Sequence, residues 1–262
     1  MSSSLENVVP KANILGVGVS AINLAEAVAL ILASVRSGRT GYIAVTGVHG
    51  ISEAQANSEF RRILNNAFLN TPDGMPLSWV GRLQGFKNMD RVYGPDLLLA
   101  LASASADGSV RHFFYGGRPG ISEALKASLE ARYPELNVCG TYTPPFRPLN
   151  EEEETELILQ MQKCQPDICW VGLSTPKQER FMATHLAKLP VKLMIGVGAA
   201  FDMHSGRLRQ APYWMQRSGL EWFFRLTQEP KRLWKRYLIN NPLFVLRIVA
   251  QLAKIKAYSL DH

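Results

Sequence analysis

Cysteine is scarce in this chain of 262 residues: there are three, Cys139, Cys164 and Cys169. The number is odd and no CxxC spacing occurs. Both facts argue against a disulfide framework or a zinc site and for a reducing compartment. The five histidines are scattered, without an HxxxH or HExxH arrangement, so a metal has no histidine seat. No DxD sequence is present to clamp a divalent ion on a diphosphate, and no GxSxG elbow to carry a serine nucleophile. The start, "MSSSLENVVP", lacks a basic segment followed by an apolar run, so no secretory leader is expected. Long apolar runs are missing too. "INLAEAVALILASV" carries Glu26 and is too short to cross a bilayer, so it reads as a buried helix. There is no internal repeat and no low-complexity tract.

What is abundant is apolar side chain, 47% of the residues, enough for one large α/β domain or one domain plus an appendage. Charge is unevenly placed. From Arg207 to His262 there are eleven basic and three acidic residues, net +8, whereas the preceding 206 carry eighteen and nineteen, net −1. The basic character therefore belongs to the tail, which points to an acidic surface met by one end of the molecule.

Short runs rich in β-branched and aromatic residues recur, each followed by a helical pattern. "ANILGVGV" precedes a helix from about Asn23 to Arg36 that Gly38 ends. "GYIAVTG" precedes "ISEAQANSEFRRILNN", where Ser52 and Gln55 have capping-box spacing. "AFLNTP", "RHFFYGG", "LNVCG", "DICWVGL" and "VKLMIGVG" continue the series. These runs are continuously apolar rather than alternating, as when both faces of a sheet are covered. The expectation is an α/β fold with a mostly parallel, Rossmann-like sheet flanked by helices. After Gly206 the strands stop and basic, aromatic helical segments follow, punctuated by Pro230 and Pro242. The chain is thus divided into an α/β domain, residues 1–206, and a helical appendage, residues 207–262.

In open parallel sheets ligands bind beyond the carboxyl ends of the strands. The unusual motifs all fall there: "VTGVHG", "NTPDG", "YGGRPG", "GLSTPKQE" and "GVGAAFD". In "LNTPDGMPLSW" one carboxylate, Asp73, sits on a rigid turn between an apolar strand and a helix. It either satisfies its own backbone, as turn aspartates do, or serves as a strand-end acid among other loops of odd composition. In "YGGRPG", Gly116, Gly117 and Gly120 let backbone approach a ligand, and Pro119 suits the start of a helix whose free N–H groups attract phosphate. Gly140, Lys177 and Asp202 join the strand-end set, although Asp202 and His204 in "FDMHSG" also read as a structural cap. "GVGVSA" imitates a dinucleotide fingerprint, but the next strand ends in Thr46-Gly47 without the ribose-binding acid. The reading as an NAD oxidoreductase is therefore rejected.

In order along the chain, "TPDG", "RVYGPDLL", "FFYGGRPG", "GLSTPKQE", "IGVGAAFD" and "RQAPYWMQRSGLEWFFRLTQEPKRLWKRY" resemble the WecG/TagA/CpsF family of bacterial glycosyltransferases, from about Ile14 to Tyr237. The resemblance implies transfer from a UDP-sugar to a polyprenyl-diphosphate-linked saccharide at the inner face of the cell membrane, with inversion and without metal or cofactor. It implies Asp73 as general base, Arg91 as a contact to acceptor or donor phosphates, and Gln178 as a holder of the sugar. Arg91 could instead pair with Asp96, and Gln178 could cap its helix. The resemblance further implies closure of Arg225 and Arg232 over the site, with Lys235 where relatives often carry a third arginine. Many relatives have Thr-x-Asn after the second strand. Here Thr46 remains and the asparagine does not, so His49 is a candidate replacement. The donor is therefore left among UDP-glucose, UDP-N-acetylmannosamine and its uronic acid, with "GVHG" leaning towards the exopolysaccharide branch.

A nucleic-acid-binding protein using the basic aromatic tail is the competing class. The apolar content of "PLFVLRIVAQLAKI" suits an anionic membrane surface or a partner helix better, so a peripheral cytoplasmic enzyme without nucleic acid is expected. Homo-oligomerisation is left open.

Overall fold

The computed structural model describes residues 9–260; most of the opening segment on which the leader reading rests lies outside them. The chain begins with an antiparallel hairpin of β1 (Lys11–Ile14) and β2 (Val17–Ser20). Its turn residues Leu15 and Gly16 both take positive φ, 53° and 81°, which matches a two-residue hairpin turn. "ANILGVGV" is thus two strands and not one. The asparagine at its centre explains why: Asn13 Oδ1 accepts from the Gly16 amide and closes the turn. The glycines that imitate a nucleotide fingerprint lie in this hairpin, away from any strand-to-helix turn.

Helix α1 (Leu24–Arg36) follows, with Asn23 and Glu26 forming a capping box. Six strands, β3 (Gly41–Thr46), β4 (Leu69–Pro72), β5 (His112–Gly116), β6 (Val138–Tyr142), β7 (Ile168–Gly172) and β8 (Leu193–Gly196), build an all-parallel sheet in the order β4-β3-β8-β7-β5-β6. Alternate residues serve opposite faces. Tyr42, Phe113, Tyr115, Cys169 and Met194 pack on one side, and Ile43, Phe114, Trp170 and Ile195 on the other. Burial on both faces is why the strands carry no polar alternation.

The connecting helices are α2 (Val48–Ala56), α3 (Ser58–Asn65), α4 (Met75–Leu83), α5 (Gly94–Ala104), α6 (Ile121–Arg132), α7 (Glu151–Cys164), α8 (Lys177–His185) and α9 (Ala200–His204). The capping box expected at Ser52 and Gln55 does not form. Helix α2 starts earlier, at Val48 with Gly47 as its N-cap, and Ser52 donates to the Val48 carbonyl inside it. The break comes at Asn57, whose side chain caps α3 by accepting from the Phe60 amide.

Beyond Gly206 come α10 (Tyr213–Arg217), α11 (Glu221–Gln228) and α12 (Pro230–Leu252). Pro230 opens α12 as expected, whereas Pro242 lies inside it and does not end it. An interior proline costs about 3 kcal/mol. Burial offsets that cost: Leu233, Tyr237, Phe244 and Ile248 form the inward stripe, and Phe244 and Ile248 join the same core as the hairpin and α3. Gln251 ties α12 to the hairpin by accepting from the Leu15 amide and donating to the Asn13 carbonyl. Among the described residues no helix is long and apolar enough to cross a membrane.

Candidate active site

Asp73 follows the last residue of β4, and its amide donates to the Thr46 carbonyl at the end of neighbouring β3 (2.9 Å). The carboxylate does not fold back on its own turn. Its Oδ1 accepts from the Gly94 amide at the start of α5 (3.3 Å). Its Oδ2 faces Gly47, where a Cβ would lie 3.4 Å away. Burial pushes the carboxyl up to about 6, and the Glu221 carboxylate adds to the rise, while Arg91, the Gly94 amide and Arg225 restrain it. A carboxylate of this kind accepts a proton near neutrality.

Arg91 lies beside it, buried, with all its donors directed within the chain. Nε donates to the Asp73 carbonyl (3.2 Å), Nη1 to Gln216 (2.7 Å) and Nη2 to Glu221 (2.5 Å), and the guanidinium stacks 3.8 Å over Tyr93. The pairing with Asp96 exists but is the loosest contact, at 3.8 Å. Arg217 of α10 bonds both oxygens of neighbouring Asp90 (3.0 Å each). Asp90 and Arg91 therefore clasp α10 and α11 onto the body above Asp73.

A cavity of about 520 Å³ opens at this junction. It is lined by His49, Asp73, Glu221, Arg225 and Arg236 and by apolar side chains of α4, α11 and α12. A second cavity of about 490 Å³ shares His49 and Arg236 with the first and adds Glu53, Ser174, Arg232 and Lys235. His49 and Arg236 thus stand between the two.

Arg236 is the residue that the sequence reading missed. Its Nε is buried without a hydrogen-bond partner, and burial pulls the guanidinium below its ordinary value. The available signal was helical phase: position 236 adjoins Tyr237 on the inward stripe and Lys235 does not, whereas Arg232, one turn earlier on the same face as Arg236, lines only the second cavity. Arg232 is half exposed and paired with Glu229. The Lys235 ammonium sits 5.5 Å over the Trp234 ring.

Other buried polar atoms without partners gather nearby, Thr46 Oγ1 and Glu179 Oε2. Glu179 Oε1 accepts from Thr175 (2.8 Å) and from Gln178 Nε2 (3.0 Å), and burial raises this carboxyl despite those bonds. Gln178 Oε1 accepts from the Gly198 amide (3.0 Å), joining the loops after β7 and β8 rather than capping α8. His49, in the first turn of α2, is pulled down to about 4 by burial, with Arg236 adding to the effect, so it is a neutral imidazole at pH 7.

Thr46, Arg91 and Gln178 line neither cavity, and the remaining candidates also lie apart from the two. Gly116, Gly117 and Gly120 have φ of 125°, 79° and 83°, and a Cβ on Gly116 would meet the Gly172 carbonyl at 2.7 Å. Glycine is required there by the turn and by the close approach of β7. Gly140 is not at a strand end but inside β6, where its missing side chain makes room for the Phe113 ring, 2.6 Å from a built Cβ. Asp202 pairs with Arg207 (2.9 Å), and His204 contacts the Pro95 carbonyl (2.9 Å), so both fix α9 and its flanks. Lys177 is the first residue of α8. Among the described residues no group of three or more His, Cys, Asp or Glu is placed to hold a metal.

Comparison with known proteins gives a match to the glycosyl transferase WecG/TagA/CpsF family model over residues 12–258. An N-acetylglucosaminyldiphosphoundecaprenol N-acetyl-beta-D-mannosaminyltransferase of Bacillus subtilis (strain 168) is 29% identical over 189 residues, covering 72% of this chain and 71% of that protein. A protein of the same description from Bacillus spizizenii is 27% identical over 197 residues, covering 75% and 74%.

Proposed function

Because this chain belongs to the WecG/TagA/CpsF family of glycosyl transferases, we propose that it moves a hexosyl group from a UDP-sugar to a polyprenyl-diphosphate-linked saccharide, with inversion and with Asp73 as general base. The observation that carries the reading is the Asp73 carboxyl itself: shifted towards neutrality by burial, free of its own turn, and lining a cavity together with two half-buried arginines.

In the reaction an acceptor hydroxyl oxygen attacks C1 of the donor sugar and gives its proton to Asp73. The bond from C1 to the β-phosphate oxygen breaks, and its electron pair leaves with UDP. Arg225 and Arg236 meet the charge that develops on the departing diphosphate, with Arg232 and Lys235 at the rim. Fixed cations in an enclosed site stabilise such charge without reorganising. This arrangement takes the place that a divalent ion has in other transferases.

The donor sugar is read as lying against His49, with Thr46, Gln178 and Glu179 behind it; Thr46 Oγ1, His49 Nδ1 and Glu179 Oε2 are the polar atoms there without partners. Arg91 acts by seating α10 and α11, so its influence on phosphate binding runs through that clasp. The relatives act on a lipid-linked diphosphate, and the enzyme is read as peripheral at the cytoplasmic membrane face. A screen of UDP-glucose, UDP-N-acetylmannosamine and its uronic acid against a short-chain lipid-diphosphate saccharide tests the reading. Transfer from one of them is expected. Binding of NADH or an oligonucleotide in preference to UDP, with no transfer, would overturn it.

A further inference from the structure

We infer that the apolar half of the main cavity is the seat of the acceptor's isoprenoid chain, whose first units lie between α4 and α12. This rests on the lipid-diphosphate acceptor of the preceding reading and adds the place where the lipid is held. The two walls come from different parts of the chain, Trp79 and Leu83 on α4 and Val245, Val249 and Leu252 on α12. These side chains are open to solvent: Leu83 is 73% exposed, and Val245 and Val249 are 57% each. On α12 the spacing 245, 249, 252 is a single helical stripe. It adjoins a second stripe, Phe244 and Ile248, already buried in the core. The helix therefore carries more apolar surface than its packing on the body uses.

The polarity of the cavity selects the occupant. The same cavity is lined by Asp73, Arg225 and Arg236, which are far less exposed than Leu83, Val245 and Val249. Half-buried cations on one part of the lining and exposed hydrocarbon on the other complement an anionic amphiphile, entered head first. A second copy of the chain laid on the apolar walls would leave the buried Arg236 Nε still without a hydrogen-bond partner. A flat bilayer surface would leave the concavity unfilled. An isoprenyl diphosphate meets both halves at once, and the volume of about 520 Å³ is that of a small-ligand site.

The test compares wild type with Leu83→Gln on one wall and Val249→Glu on the other. Both positions are exposed, so each variant is expected to fold; thermal melts check this, and either variant suffices if the other does not. Trp79 and Trp222 line the cavity and report occupancy by fluorescence. Wild type should bind geranylgeranyl diphosphate at least tenfold more tightly than inorganic diphosphate, and each variant should lose most of that ratio. In transfer assays the ratio of kcat/KM for long-chain over short-chain acceptors should fall at least tenfold in the same variants. If the isoprenyl preference is absent from wild type, or unchanged in both variants, the inference is overturned. It is equally overturned if the variants alter only the sedimentation behaviour, which would make this face a contact between copies. An isoprenyl preference lost in the variants, with no transfer from any UDP-sugar, would uphold the lipid seat and defeat the transferase reading instead.

Discussion

Replacing Asp73 by asparagine should nearly abolish transfer and, above pH 6, make the fold more stable. Asparagine keeps the oxygen that accepts from the Gly94 amide, so the turn retains its contact and only the titrating group is lost. The carboxyl is pushed from 3.8 up to about 6 in the folded protein. Between those values the native state holds a proton that the unfolded chain releases, so stability falls as pH rises through the interval and stays reduced above it. At about 1.4 kcal/mol per pKa unit the loss is about 2 to 3 kcal/mol, or roughly 5–10 °C in Tm for a chain of this size. The Asp73→Asn protein has no titrating group at this position and so no such loss. Melts of the two proteins should nearly coincide close to pH 4 and separate by that amount at pH 8, the variant melting higher. Transfer in the wild type should rise with pH through about 6 and then level, since the base works ionised. In the variant, turnover should drop by about 10²–10⁴-fold with UDP binding retained. A constant difference in Tm from pH 4 to pH 8 would refute the enclosed, proton-retaining carboxyl. Normal turnover with the natural acceptor would place the base elsewhere.

Transfer should persist in EDTA; a rate that collapses with chelator and returns with magnesium or manganese would reveal a metal requirement. The arginines should separate by burial. Arg225→Ala or Arg236→Ala should each lower turnover by about 10²-fold or more, the scale for losing one preorganised donor at developing charge. Arg232→Ala, at a half-exposed and paired position, should cost less than about tenfold. Equal losses at positions 232 and 236 would show that depth in the cavity does not decide the contribution.

The parallel sheet was legible because strands buried on both faces leave an unbroken apolar signature, and each was followed by a helix. The place of Asp73 at a strand end was legible for a local reason: Pro-Asp-Gly after an apolar run marks the turn that closes β4. Other features depend on phase or on distant partners. The hairpin hid inside one apolar run, and only Asn13 marked its turn. Pro242 suggested a helix end because local propensity is silent about the core contacts of Phe244 and Ile248. Gly140 resembled a ligand-loop glycine until Phe113 was placed beside it. Arg236 could be separated from Lys235 only by knowing which stripe of α12 faces inward, and that is set by residues on both sides of the interior proline.

The hairpin at the start of the chain is completed by its end. Asn13 Nδ2 donates to the Tyr258 carbonyl across 245 positions (2.7 Å), and Gln251 holds the Leu15 amide across 236 (3.0 Å). Phe244 and Ile248 share a core with Ala12 and Ile14. During synthesis, at about 5–20 residues per second, the first strands emerge many seconds before the helix that covers them. Contacts of such long sequence separation slow folding, and until they form the outer faces of the hairpin and α2 remain bare. The nascent chain therefore carries an unfinished apolar surface for most of its translation, a period in which a chaperone has the greatest purchase and in which premature termination leaves a sheet without its closing helix.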